Sequence, residues 1–127
     1  MAKILIVDWE EEERIHLWDI LEKDHELFFA GDGKTALDIW ERRDIALVIT
    51  ELYVPELNGL RLIKELVERD AHVRIVAISA ISADQLDLAE DFGAAAILYK
   101  PVEPPDLLAA VTKALEGYRP ARSDRWR

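Results

Sequence analysis

Four side chains in this sequence of 127 residues could do chemistry together, and each closes a short apolar run. Asp8 follows Lys3-Ile-Leu-Ile-Val7, Glu51 follows Ala46-Leu-Val-Ile-Thr50, Ser79 follows Arg74-Ile-Val-Ala-Ile78, and Lys100 follows Ala95-Ala-Ile-Leu-Tyr99. Runs of this length, rich in β-branched residues and bounded by turn formers, are the pattern of strands buried on both faces of a parallel sheet. A carboxylate at the carboxyl end of a central strand sits where open α/β sheets place their chemistry. Two carboxylates, a hydroxyl and an ammonium then meet in one shallow, charged cleft, where acid and ammonium can pair.

The elements that must position them alternate. A helix is expected over Glu11 to Asp24, with Ile15, Trp18 and Leu21 at one helical spacing and Glu10-Glu-Glu-Glu13 favourably placed at its positive N-terminal end. Leu27-Phe-Phe29 reads as a strand, and Lys34 to Arg42 as a helix with Ala36, Leu37 and Trp40 inward. Asn58 is suited to cap a helix reaching Arg69, with Leu60, Ile63, Leu66 and Val67 as its apolar positions. A helix from Ala83 to Phe92 stops at Gly93, and one from Pro105 to Glu116 stops at Gly117. Five strands alternating with five helices through short connections demand right-handed crossovers and a parallel sheet. The expectation is one flavodoxin-like, doubly wound (βα)5 domain over residues 1–117, strand order 2-1-3-4-5, in which the first and third strands meet at the switch point. Residues 118–127 carry four Arg against one Asp and read as a basic tail or the start of a linker.

Composition narrows the function. With 26 acidic against 16 basic residues the net charge is −10, which repels phosphate backbones and argues against nucleic acid as a partner of the folded body. No cysteine is present, so disulfides, thiol chemistry and Cys-zinc sites are excluded. No apolar run approaches the roughly 18–20 residues of a membrane span, and Met1-Ala2-Lys3 leads into a strand without a cleavable signal pattern, so a cytoplasmic location with no membrane partner is expected. Gly31-Asp-Gly33-Lys-Thr-Ala36 fits G-x-G-x-x-A, but it follows the strand that the doubly wound order puts at the sheet edge, away from the switch point. His16, His25 and His72 fall at no metal spacing. A nucleophile elbow and a Ser-His-Asp set are both lacking.

Five landmarks in order resemble the receiver domains of two-component response regulators: Ile4-Leu-Ile-Val-Asp8; Glu51 with Pro55 and Asn58-Gly59-Leu60; Ile78-Ser79-Ala80; Gly93-Ala94; and Lys100-Pro101. The resemblance spans about residues 3–117. It implies an aspartate at the end of the third strand that accepts a phosphoryl group from a histidine kinase. It also implies Mg²⁺ held with an acidic pair after the first strand, and a hydroxyl and a lysine that bind the phosphoryl oxygens. An aromatic residue three places before that lysine turns inward when the hydroxyl is engaged.

This chain departs from that pattern at three positions. Glu51 replaces the acceptor, Trp9 replaces the second acid beside Asp8, and Ile97 replaces the aromatic switch. Mg²⁺ asks for near-octahedral oxygen ligands. Trp9 supplies none, and Lys100 brings the sum of Asp8 and Glu51 to −1, so at most weak Mg²⁺ at those two acids is expected and no other cofactor. Glu51 reaches about 1.5 Å further than aspartate would, toward Lys100 and Ser79, and a Glu51–Lys100 pair is expected to occupy the pocket. Its one charge and two oxygens imitate a phosphoryl group only in part. The reading is an atypical, non-enzymatic receiver that signals through protein contacts independently of phosphorylation. Its expected partners are a histidine kinase or an output protein. A homodimer is also expected, through the helix from Ala83, the strand ending at Tyr99 and the helix from Pro105. Two alternatives are a receiver still phosphorylated on Asp8 or Glu51 with weak Mg²⁺ dependence, and a flavodoxin-like protein binding a small ligand near Gly31–Ala36.

Overall fold

The computed structural model describes residues 2–54, 56–80 and 83–118. Five strands and five helices alternate: β1 Lys3–Val7, α1 Glu11–Leu21, β2 Glu26–Ala30, α2 Gly33–Arg42, β3 Leu47–Glu51, α3 Gly59–Arg69, β4 Ile75–Ser79, α4 Ala83–Phe92, β5 Ala96–Tyr99 and α5 Pro104–Ala114. All pairings are parallel and the sheet order is β2-β1-β3-β4-β5. That is the flavodoxin-like doubly wound arrangement. Every residue of β3 and β4 is buried, because helices cover both faces and leave no strand position facing water.

Alternation along each strand divides the core in two. Ile4, Ile6, Leu47, Ile49, Val76 and Ile78 pack with Leu17 and Leu21 of α1 and Leu107 and Val111 of α5. Leu5, Val7, Val48, Ile75 and Ala77 face the other way, onto Ala36 of α2, Leu62, Ile63 and Leu66 of α3, and Leu86 and Ala89 of α4. Two caps begin helices where side chains can serve the unsatisfied first-turn amides. Asp32 Oδ1 accepts from the Thr35 N–H at 2.7 Å, and Asn58 Oδ1 from the Arg61 N–H at 2.9 Å.

α1 differs from its sequence pattern. It ends at Leu21 rather than Asp24: the Glu22 N–H closes the helix on Trp18 O, and the Asp24 N–H turns back to Leu21 O. Its buried residues are Leu17 and Leu21, whereas Ile15 is 53% exposed and Trp18 43% exposed. The stripe facing β1 runs through 17 and 21, one helical turn apart, so 15 and 18 fall on its flank. Trp18 there stacks on Phe29 of β2, ring centroids 5.4 Å apart and planes at 17°. Smaller shifts of one or two residues bring α5 to Pro104–Ala114 and β2 to Glu26–Ala30. Trp40 and Leu37 are partly buried against the second core cluster. Tyr118 packs on the first core cluster, with the Arg74 guanidinium 5.4 Å from its ring centroid. The rest of the expected basic tail, 119–127, lies outside the described residues.

Gly59 fixes where β3 ends relative to α3. Its N–H donates to Leu52 O at 2.9 Å, and a Cβ built there would stand 2.5 Å from Glu51 O and 2.6 Å from Leu52 Cα. Both obstacles are backbone, so neither can swing aside. Gly59→Ala is expected to cost about 1–3 kcal/mol by overpacking, read as a lowered urea midpoint at unchanged m-value.

Candidate functional site

The register brings the four strand-end residues together. Val7 pairs with Thr50, which sets Asp8 level with Glu51, and Glu51 pairs with Ile78, one residue short of Ser79. Ser79 in turn pairs with Tyr99, immediately before Lys100, and the Lys100 N–H donates to Ser79 O at 3.1 Å. Asp8, Glu51 and Ser79 are the buried polar residues at this edge.

The Lys100 ammonium is the hub. Nζ lies 2.8 Å from Glu51 Oε1 and 2.9 Å from Asp8 Oδ2, with its side chain only 9% exposed. Glu10 Oε1 stands further off, at 3.8 Å. The other oxygen of each buried acid is held by backbone. Glu51 Oε2 accepts from the Leu52 N–H at 2.6 Å and from the Tyr53 N–H at 3.3 Å, so the side chain folds back over its own turn. Asp8 Oδ1 accepts from the Glu10 N–H at 3.0 Å, the Asx turn that a short acid makes with the amide two residues on. Burial works against the charged lysine, but its hydrogen bonds to Glu51 and Asp8 and the charges of both acids outweigh that, holding Lys100 above its ordinary value. Two carboxylates and one ammonium are thereby a satisfied network, which is the condition for keeping such charges out of water.

The oxygens that would face the Mg²⁺ implied by the resemblance already have protein partners. One oxygen of Asp8 and one of Glu51 rest on the same ammonium, and the second oxygen of each is engaged by a backbone N–H. Trp9 projects from the loop after β1, 49% exposed, and an indole offers a donor rather than a ligand oxygen. Among the described residues no group of three or more His, Cys, Asp or Glu is arranged to hold a metal ion. Ile97, at the switch position, packs against the core cluster of β1, β3 and β4 residues that includes Ala77. Tyr99, two residues on, is exposed.

Sequence reasoning missed two parts of this site. Arg14 of α1 reaches across to donate from Nη1 to Asp8 O at 2.6 Å, a long-range contact without a local pattern. The amides of Leu52 and Tyr53 became donors only because the backbone turns under the longer glutamate side chain. The Asp8–Glu10 turn had a legible signal, an Asp two residues before the helix N-cap. His16 lies apart from the cleft, its Nε2 2.8 Å from Val102 O, and His25 Nδ1 accepts from the Ala2 N–H at 3.1 Å. Gly31 and Gly33 follow the edge strand β2; the Ala30 carbonyl just before Gly31 accepts from the Asp8 N–H at 3.0 Å, and a Cβ at Gly31 would stand 3.7 Å from Arg14 Nη1.

Residues 4–112 match the model of the response regulator receiver domain. The chain is 30% identical over 115 residues to sporulation initiation phosphotransferase F of Bacillus subtilis, covering 89% of this chain and 93% of that one. It is also 30% identical over 116 residues to chemotaxis protein CheY of the same organism, covering 89% and 97%. Among solved structures, a response regulator receiver domain protein from Clostridium thermocellum superposes with a TM-score of 0.87 at 28% identity, covering 92% of this chain and 96% of that one. No described helix is long and apolar enough to cross a membrane. The chain belongs to the response regulator receiver domains of two-component signalling.

Proposed function

We propose that this receiver works through contacts with protein partners and without accepting a phosphoryl group. The observation that carries the reading is the position of the Glu51 carboxylate, bonded on one side to Lys100 at 2.8 Å and on the other to the Leu52 amide at 2.6 Å. An acceptor needs a carboxylate oxygen turned toward the incoming phosphorus, and here Oε1 is drawn onto Lys100 while Oε2 is turned back onto the Leu52 amide. The lysine that receiver domains use for the phosphoryl oxygens is already neutralised by Glu51 and Asp8. The network is therefore a fixed structural state, with glutamate in part standing in for the charge that phosphorylation would bring.

The contact surface in this reading is formed by α4, β5 and α5, where Leu88, Tyr99 and Leu108 are exposed apolar side chains. A histidine kinase, an output protein or a second copy of the chain would cover it, with Tyr99 the kind of aromatic anchor that such surfaces favour. Ile97 removes the aromatic that would tie Ser79 to that face, so the surface is held in one state rather than switched.

The test is incubation of the full chain with acetyl phosphate, and with a histidine kinase, each with and without Mg²⁺, followed by intact mass. No phosphoryl adduct is expected under any of the four conditions. A stoichiometric, hydroxylamine-labile adduct overturns the reading, and mapping it to Glu51 or Asp8 would identify the acceptor.

A further inference from the structure

α1 leaves apolar surface uncovered where its sequence pattern expects core, and that surface lines a shallow, open depression. Glu11, Arg14, Ile15, Trp18 and Phe29 line an open pocket of about 250 Å³. The stacked Trp18 and Phe29 rings supply an aromatic wall, and Ile15 adds an aliphatic one. Glu11 and Arg14, three positions apart on one helix face, bring a carboxylate and a guanidinium to the same pocket. The volume falls below the roughly 300–1,000 Å³ of sites for drug-sized ligands, so it suits one small molecule.

We propose that this pocket binds a free aromatic α-amino acid. The complementarity is threefold. The ligand carboxylate takes the remaining donors of Arg14, a guanidinium having five N–H groups in a fork suited to carboxylates. The ligand ammonium pairs with Glu11. The ring lies against Trp18, Phe29 and Ile15, where aromatic pairs gain beyond simple burial. A simple acid or a simple amine would satisfy one charged wall and desolvate the other. Because Arg14 Nη1 also donates to Asp8 O at 2.6 Å, an occupant that draws on Arg14 touches the first residue of the carboxyl-edge network. This site does not depend on whether the chain is phosphorylated, and either reading can fail without the other.

The experiment is a titration of the ¹⁵N-labelled full chain with L-phenylalanine, 3-phenylpropionate and phenethylamine, followed by amide and indole N–H shifts. Saturable shifts at Glu11, Arg14, Trp18 and Phe29, extending to Asp8, are expected with L-phenylalanine. The two one-charge analogues should each bind at least about tenfold more weakly, since each loses one charge-assisted contact. Arg14→Met and Glu11→Gln change half-buried or exposed side chains and should keep the spectrum of a folded chain while weakening L-phenylalanine about tenfold. No saturable shift with L-phenylalanine, equal binding of all three compounds, or undiminished binding by both folded variants overturns the proposal.

Discussion

Lys100→Met is expected to destabilise the domain by about 3–5 kcal/mol, the range for removing one partner of a buried ion pair. The lysine side chain is 9% exposed, and Asp8 and Glu51 both contact its Nζ. Methionine keeps the stem's apolar packing but leaves two buried carboxylates facing each other without a counter-charge. Most of the loss should therefore be electrostatic. Adding Glu51→Gln to Lys100→Met should recover a large part of it, because the coupled sites are in contact and their effects are not additive. Urea denaturation of Lys100→Met, Glu51→Gln and the double variant checks this, with midpoints compared at equal m-values. A loss under about 1 kcal/mol, in the range of an exposed surface pair, would remove the network from its central place.

The same pair sets the sign of an alkaline dependence. Lys100 is raised above its ordinary value of 10.5 in the folded chain, so the folded state holds the proton more tightly than the unfolded one. That stabilisation is fully present below pH 10.5 and is lost as pH climbs through the folded value. The wild-type chain should lose this contribution at high pH, while Lys100→Met, already without it, should show a flatter profile there.

What was legible in the sequence was set by burial. β1, β3 and β4 are covered on both faces, so each reads as an unbroken apolar run, and the polar residue ending it marks the carboxyl edge. Asp8, Glu51 and Ser79 could be placed together from that, and Lys100 from the apolar run of the edge strand β5 together with the doubly wound order. α1 was less legible because its apolar residues fit two overlapping stripes, one through 15, 18 and 21 and another through 17 and 21. Spacing within a helix cannot choose between stripes, since the choice is made by how the helix lies on β1. The partners of individual oxygens were also beyond reach. Asp8 Oδ1 and Glu51 Oε2 are held by amides whose directions depend on the turns after β1 and β3. Arg14 meets Asp8 only because α1 returns across the end of its own strand.

Trp9→Asp combined with Glu51→Asp is expected to create Mg²⁺-dependent labelling by acetyl phosphate, at a rate at least about a hundredfold above the wild-type chain. A metal ion supplies several kcal/mol of charge stabilisation, and each 1.36 kcal/mol is tenfold in rate. The two changes address different obstacles. Glu51→Asp withdraws the carboxylate by about 1.5 Å, away from Lys100 and the Leu52 amide that now hold it. Trp9→Asp replaces an indole without ligand oxygens by a second acid beside Asp8, moving the local sum from −1 to −2. Neither change suffices alone. With Glu51→Asp only, the acid pair is still incomplete. With Trp9→Asp only, the acceptor oxygens are still engaged. The rates should be strongly non-additive, as for groups that act as one unit. Trp9 is half exposed and Glu51→Asp conserves charge, so the double variant should fold, which circular dichroism and a urea midpoint would verify. A folded double variant that stays unlabelled at saturating Mg²⁺ would mean that these two side chains are not what separates this chain from a phosphorylated receiver. A single variant as active as the double would assign the obstacle to one position rather than to the network.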